Sequence, residues 1–145
     1  MKSLFLLLAL STLVGCTTRA ETYSVSLRND TKLPLTIGFT KDGEPYQDEW
    51  LAPEDLAQDK QVKLDISSWG ILVPPGKTAT SKELTAHLQG EALAYVRVYR
   101  GHINLLDMLA ISRGSMSRID LPLVPGKNNV VITEREGRLA AIKAP

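Results

Sequence analysis

The chain has 145 residues, with 17 Lys and Arg against 16 Asp and Glu, two His and a single Cys. A chain of this size fits one ordinary domain, and its near-neutral charge gives no electrostatic reason to expect nucleic acid as a ligand. One cysteine excludes an internal disulfide, so a packed core must supply the stability.

The N-terminus reads first as an address. Lys2 supplies a positive start, and Leu4 to Val14 form an apolar run in which small residues enter only near the end, the parts of a signal peptide. That run is about half the ~20 residues a helix needs to cross hydrocarbon, and no later stretch approaches such a length. At its end, Leu13-Val14-Gly15-Cys16 resembles the lipobox of bacterial lipoproteins. The resemblance implies a diacylglycerated Cys16, removal of residues 1–15 and acylation of the new N-terminus. It also gives the lone thiol of an exported chain a purpose. Two or three acyl chains on one residue hold far more firmly than one, since each buried methylene contributes ~0.8 kcal/mol. In the lipoprotein sorting pattern an Asp after the lipid cysteine retains a protein in the inner membrane. Thr17 stands there, which implies the outer membrane, with the domain facing the periplasm. Loss of Lys2 with the signal leaves basic and acidic side chains in balance.

Residues 16–22 are expected to form a short tether and residues 23–145 the folded domain. About six extended residues reach roughly 20 Å, so the domain sits close to its membrane. Tyr23, Val25 and Leu27 alternate with Ser24, Ser26 and Arg28, the period of a strand with one wet face. Asn29-Asp30-Thr31-Lys32 is a turn signal, and Leu33, Leu35, Ile37 and Phe39 resume the alternation, with Pro34 at the strand start, so a hairpin is expected.

Residues 41–60 break the pattern. Lys41-Asp42-Gly43-Glu44 reads as a turn, and Pro53-Glu54-Asp55 as the opening of a short helical turn. Val62, Leu64 and Ile66 restore the strand period, Ile71-Leu72-Val73 forms another strand, and Pro74-Pro75-Gly76 ends it. Residues 78–88 lean towards strand. Ala92 to Arg100 is the best strand of the chain, apolar on both faces until Arg97 and Arg100, and is expected at the centre of a sheet. After Asn104, the residues Leu105, Leu106, Met108, Leu109 and Ile111 share one helical face, and Gly114 is the stop. Ile119, Leu121 and Leu123 alternate again, and Val130–Thr133 and Leu139–Ile142 flank Glu136-Gly137 as a closing hairpin. Short strands at near-regular spacing without alternating helices predict an all-β fold, an antiparallel two-sheet sandwich of immunoglobulin-like or transthyretin-like type with one short inserted helix.

Motifs for chemistry are sparse. Pro75-Gly76-Lys77-Thr78 imitates the end of a phosphate-binding loop, but Ile71 stands where that motif needs glycine, and the two prolines lack N–H donors. His87 and His102 lack zinc-ligand spacing. A Ser115, His102, Asp107 grouping lacks the second glycine of a nucleophile elbow. Asp42, Glu44, Asp48, Glu49, Glu54, Asp55 and Asp59 form an acidic stretch whose spacing does not fit an EF-hand. Arg97, Arg100, Arg113 and Arg118 form a basic counterpart that either pairs with those acids or marks an opposite face. The reading is therefore no enzyme, no cofactor and no metal.

An exported lipoprotein with a small sandwich and an inserted helix is similar, in architecture and not in any motif, to the lipoproteins that anchor type VI secretion membrane complexes. No residue role follows from that similarity. It implies a membrane-tethered interaction or scaffold module with an envelope protein partner. The second class is a periplasmic glycan or small-ligand binder, signalled by an exposed Trp50 or Trp69 beside a groove. An envelope hydrolase is third. Within the first class, the irregular segment around Trp50, with Asp48, Glu49, Glu54 and Asp55, is expected as the partner-binding loop, because irregular segments of this length in compact domains tend to be functional. The competing expectation is that Trp50 plugs the core.

Overall fold

The computed structural model describes residues 17–43, 47–51, 70–103 and 117–143. The described residues form nine strands: β1 (Thr18–Asn29), β2 (Leu35–Lys41), β3 (Ile71–Val73), β4 (Thr78–Thr80), β5 (Leu84–Gln89), β6 (Ala94–Arg100), β7 (Arg118–Pro122), β8 (Gly126–Arg135) and β9 (Arg138–Lys143). One sheet runs β4-β1-β8-β9, with β5 also paired to β1, and the other runs β3-β2-β6-β7. The fold is all-β, as the strand periods predict. The only helical element among the described residues is a single 3-10 turn at Asp48–Trp50. The expected helix after Asn104 lies outside the described residues, as do Val62 to Ile66.

Alternation places one apolar core between the sheets. Tyr23, Val25 and Leu27 of β1 face Leu35 and Ile37 of β2 and Val96 and Val98 of β6, with Leu84, Ala86, Leu88 and Ile132 in the same cluster. The apolar character of Ala92–Arg100 calls for a central strand, and β6 does lie between β2 and β7. The closing hairpin also forms, with β8 paired antiparallel to β9. Its turn has positive φ at both Glu136 (51°) and Gly137 (76°), the backbone of a type I′ turn.

The structure corrects the sequence reading at four places. First, β1 begins at Thr18, so Thr18–Thr22, expected as tether, pair with β5 from Thr18↔Gln89 to Thr22↔Thr85. Secondly, β1 and β2 form no hairpin, because they belong to different sheets. The link is an arch held by Asn29, which is fully buried. Its Nδ2 donates to Leu33 O and Val73 O, both at 2.8 Å, and its Oδ1 accepts from Thr31 N at 2.9 Å and Thr31 Oγ1 at 2.7 Å. Thirdly, the larger sheet is mixed, since β1 pairs with β8 in parallel from Tyr23↔Gly126 to Asn29↔Ile132. Fourthly, the stretch from 78 to 89 is broken. Between Ser26↔Thr80 and Tyr23↔Leu84, three residues on one strand oppose two on β1, which is a bulge. Ser81 covers the irregularity: its N–H donates to Val25 O at 2.8 Å and its Oγ accepts from Val25 N at 3.0 Å.

Candidate functional site

Among the described residues, the edge of the smaller sheet beside Gly38–Lys41 is covered by no strand, which sets the local geometry. β3 pairs only with Leu35–Ile37 of β2. β5 likewise has β1 as its only strand partner among the described residues. The segment Gln47–Trp50 lies beside both. Gln47 works as a substitute strand: its Nε2 donates to Thr85 O at 3.2 Å and its Oε1 accepts from His87 N at 2.7 Å. Trp50 Nε1 donates to the same Thr85 O at 3.0 Å. Pairing of this kind satisfies backbone groups that an open edge strand would leave for another chain. The indole packs edge-on against Tyr23 and Phe39, with ring centroids 5.6 and 6.0 Å away.

Trp50 is therefore only 1% exposed. That burial agrees with the competing expectation of Trp50 as a core plug, packed between Tyr23 and Phe39. Asp48 and Glu49 are exposed on the 3-10 turn, and Glu49 pairs with Lys82 at 2.6 Å. Cys16, Glu54, Asp55 and Trp69 lie outside the described residues, as do Asp107, Arg113 and Ser115.

A cleft of about 510 Å³ opens on the outer side of the same sheet. Asp42, Tyr95, Arg97 and Asp120 line it, with Gln47, Trp50 and Leu51 as one wall. Its polar groups come from strand periodicity: Ala94, Val96 and Val98 of β6 turn inward, so Tyr95 and Arg97 turn outward. Arg97 sits directly across from Asp120 on β7. The pair is bidentate, Nε to Oδ1 at 2.7 Å and Nη2 to Oδ2 at 2.8 Å, which fixes the guanidinium plane. The Tyr95 hydroxyl donates to Asp42 Oδ2 at 3.0 Å, and Leu93 N donates to the same oxygen at 3.1 Å. Partial burial first, and then the bond to the Asp42 carboxylate, push the Tyr95 phenol above its ordinary value, so it stays a protonated donor at neutral pH.

Two of the arginines seen in the sequence have acidic partners among the described residues. Arg97 pairs with Asp120 and Arg100 with Glu134, both in the second half of the chain. His87 lies on β5 of the larger sheet and His102 in the loop after β6 of the smaller one, and no three His, Cys, Asp or Glu among the described residues are placed to hold a metal. At the imitation phosphate loop, Gly76 N donates to Asn29 O at 2.7 Å and Lys77 N to Pro74 O at 3.1 Å, so these donors serve the fold. Sequence reasoning missed Tyr95 and Asp120 as site residues. The one signal for them is register, since a charged Arg97 inside the most apolar strand calls for an acid opposite it.

No protein-family model matches the chain, and no curated protein matches it.

Proposed function

We propose that this chain is a membrane-anchored envelope lipoprotein, lipidated on Cys16 in the outer membrane and facing the periplasm. Its two-sheet domain, read as a sandwich of immunoglobulin-like or transthyretin-like type, serves as a protein-interaction or scaffold module. The observation that supports a binding role is the cleft of Tyr95, Arg97, Asp42 and Asp120, whose side chains are already fixed by mutual hydrogen bonds. Pre-positioned donors and acceptors lower the ordering cost of association. The four side chains are engaged with one another as donor–acceptor pairs, an arrangement that favours recognition of a polar surface. The glycan alternative loses one of its two candidate stacking residues, because the Trp50 ring system is engaged within the core by both Tyr23 and Phe39.

Two experiments test the reading. Replacing Cys16 by Ser is expected to release the domain from the membrane fraction, and unchanged membrane fractionation would sink the lipoprotein assignment. A photo-crosslinking amino acid in place of Tyr95 in intact cells is expected to capture an envelope protein, identified by mass spectrometry. Capture of peptidoglycan instead would move the assignment to the glycan-binding class.

A further inference from the structure

We infer that Leu93 and Val124 form an apolar tip that contacts the bilayer holding Cys16, an inference that rests on the lipidation of Cys16 proposed above. The β6–β7 ladder runs from Tyr99↔Arg118 to Tyr95↔Pro122, and Leu123 N donates to Ala94 O at 2.8 Å just beyond it. One step further places Leu93 opposite Val124. Ala94 and Leu123 are buried, so their neighbours Leu93 and Val124 turn outward. They are 43% and 52% exposed. Cross-strand neighbours have Cβ atoms about 5 Å apart, so the two side chains make one continuous apolar surface.

Both are presented rigidly. Leu93 exchanges hydrogen bonds with Asp42, through Leu93 N to Oδ2 at 3.1 Å and Asp42 N to Leu93 O at 2.9 Å. Val124 exchanges them with the Asn128 amide, through Val124 N to Oδ1 at 2.9 Å and Nδ2 to Val124 O at 2.8 Å. Exposed apolar side chains held on fixed turns lose little conformational entropy on insertion.

The occupant follows from where the chain enters the fold. Arg19 fastens the start of β1 to the turn before Leu93, donating to Gly90 O and, at 2.6 Å, to Ala92 O. Thr18 is paired to Gln89 in the strand that leads into this turn. Cys16 precedes Thr18 by two residues, at most about 7 Å of extended chain. Lipid and tip therefore leave the domain at one end. Lys32 lies in the arch beyond Asn29, past the far end of β1, whose Thr18-to-Asn29 length is roughly 36 Å at ~3.3 Å per residue.

The test uses the full chain, lipidated and reconstituted into vesicles of phosphatidylethanolamine and phosphatidylglycerol. Cys16 is the only cysteine, and its sulfur is consumed by the lipid, so Leu93→Cys, Val124→Cys and Lys32→Cys each carry one thiol for an environment-sensitive fluorophore. Labels at 93 and 124 are expected to shift to the blue and to be quenched by nitroxides on the acyl chains, and the label at 32 to do neither. Labels at 93 and 124 that behave like that at 32, on protein that floats with the vesicles, overturn the tip and leave the anchor standing. A blue shift without nitroxide quenching means that protein covers the tip, and also overturns it. Chain that fails to float removes the lipidation reading and this inference together. Either label suffices alone, so misfolding of one variant does not block the test.

Discussion

The indole N–H of Trp50 donates to the carbonyl oxygen of Thr85 at 3.0 Å, so a residue from an irregular segment completes the edge of β5 while its rings fill the core. Trp50→Ala is expected to cost ~3–5 kcal/mol of stability, the usual range for removing a large buried aromatic. The urea-denaturation midpoint checks this. A variant that unfolds at the wild-type midpoint would show that the plug is dispensable and return Trp50 to the binding role.

Asn29 is a fully buried amide with every hydrogen-bonding group of its side chain used, and its partners lie in the arch and β3. Asn29→Ala removes a partner from Val73 O and from Thr31 N, and each unsatisfied buried group costs about 1–3 kcal/mol, so a loss of about 2–6 kcal/mol is expected. Asn29→Asp turns a carboxylate towards two carbonyl oxygens. Burial and repulsion favour its neutral form, so this variant should be less stable at neutral pH than in mild acid relative to wild type. Chemical denaturation of both variants at the two pH values is the measurement, and an Asn29→Asp protein whose stability ignores pH would contradict the buried hub.

The Tyr23 hydroxyl donates to Glu21 Oε2 at 2.5 Å, and Arg19 Nε donates to Glu21 Oε1 at 2.8 Å. Burial first, and then the bond to Glu21, raise the Tyr23 phenol above its ordinary value. An acid that holds its proton more tightly when folded contributes stability below its unfolded value, about pH 10 for tyrosine, and loses it as pH rises further. Glu21 moves the other way, lowered from 4.5 chiefly by the Tyr23 hydroxyl. Its contribution is present above 4.5 and is lost as pH falls through the folded value. Tyr23→Phe should therefore be most destabilised near neutral pH, and the gap to wild type should narrow in both acid and alkali. A constant gap across a pH series of unfolding curves would count against the coupling.

Two turn glycines separate backbone strain from crowding. Gly76 has φ +72°, and a Cβ added there would meet open space, so Gly76→Ala bears only the left-handed backbone, about 1–2 kcal/mol. Gly70 has φ +81°, and a Cβ there would lie 2.9 Å from Thr36 Cγ2 and 3.1 Å from Ile37 O. Adding overpacking to the same strain predicts about 2–5 kcal/mol for Gly70→Ala. Thermal unfolding of the two variants should rank Gly70→Ala lower, and equal melting would remove the close approach as the cause.

Sequence by itself determined the inward face of the strongly alternating strands. Tyr23, Val25 and Leu27, or Ala94, Val96 and Val98, announce their buried side by period two, because alternation is a local property of extended backbone. The same holds for the turns at Pro75-Gly76 and Glu136-Gly137, whose residues select their own backbone. Beyond the closing hairpin, tertiary structure decided who pairs with whom. An alternating strand after a turn reads identically whether it folds back as a hairpin or crosses to the other sheet, and the crossing at Asn29 is fixed by carbonyls at Leu33 and Val73 and by β8 arriving in parallel. Trp50 followed the same logic. Nothing around residue 50 has a period, and its burial depends on Tyr23 of one sheet and Phe39 of the other being brought against it, which happens only once both sheets are assembled. The cleft is likewise a product of register, since Arg97 meets Asp120, and Tyr95 meets Asp42, only when β2, β6 and β7 lie side by side.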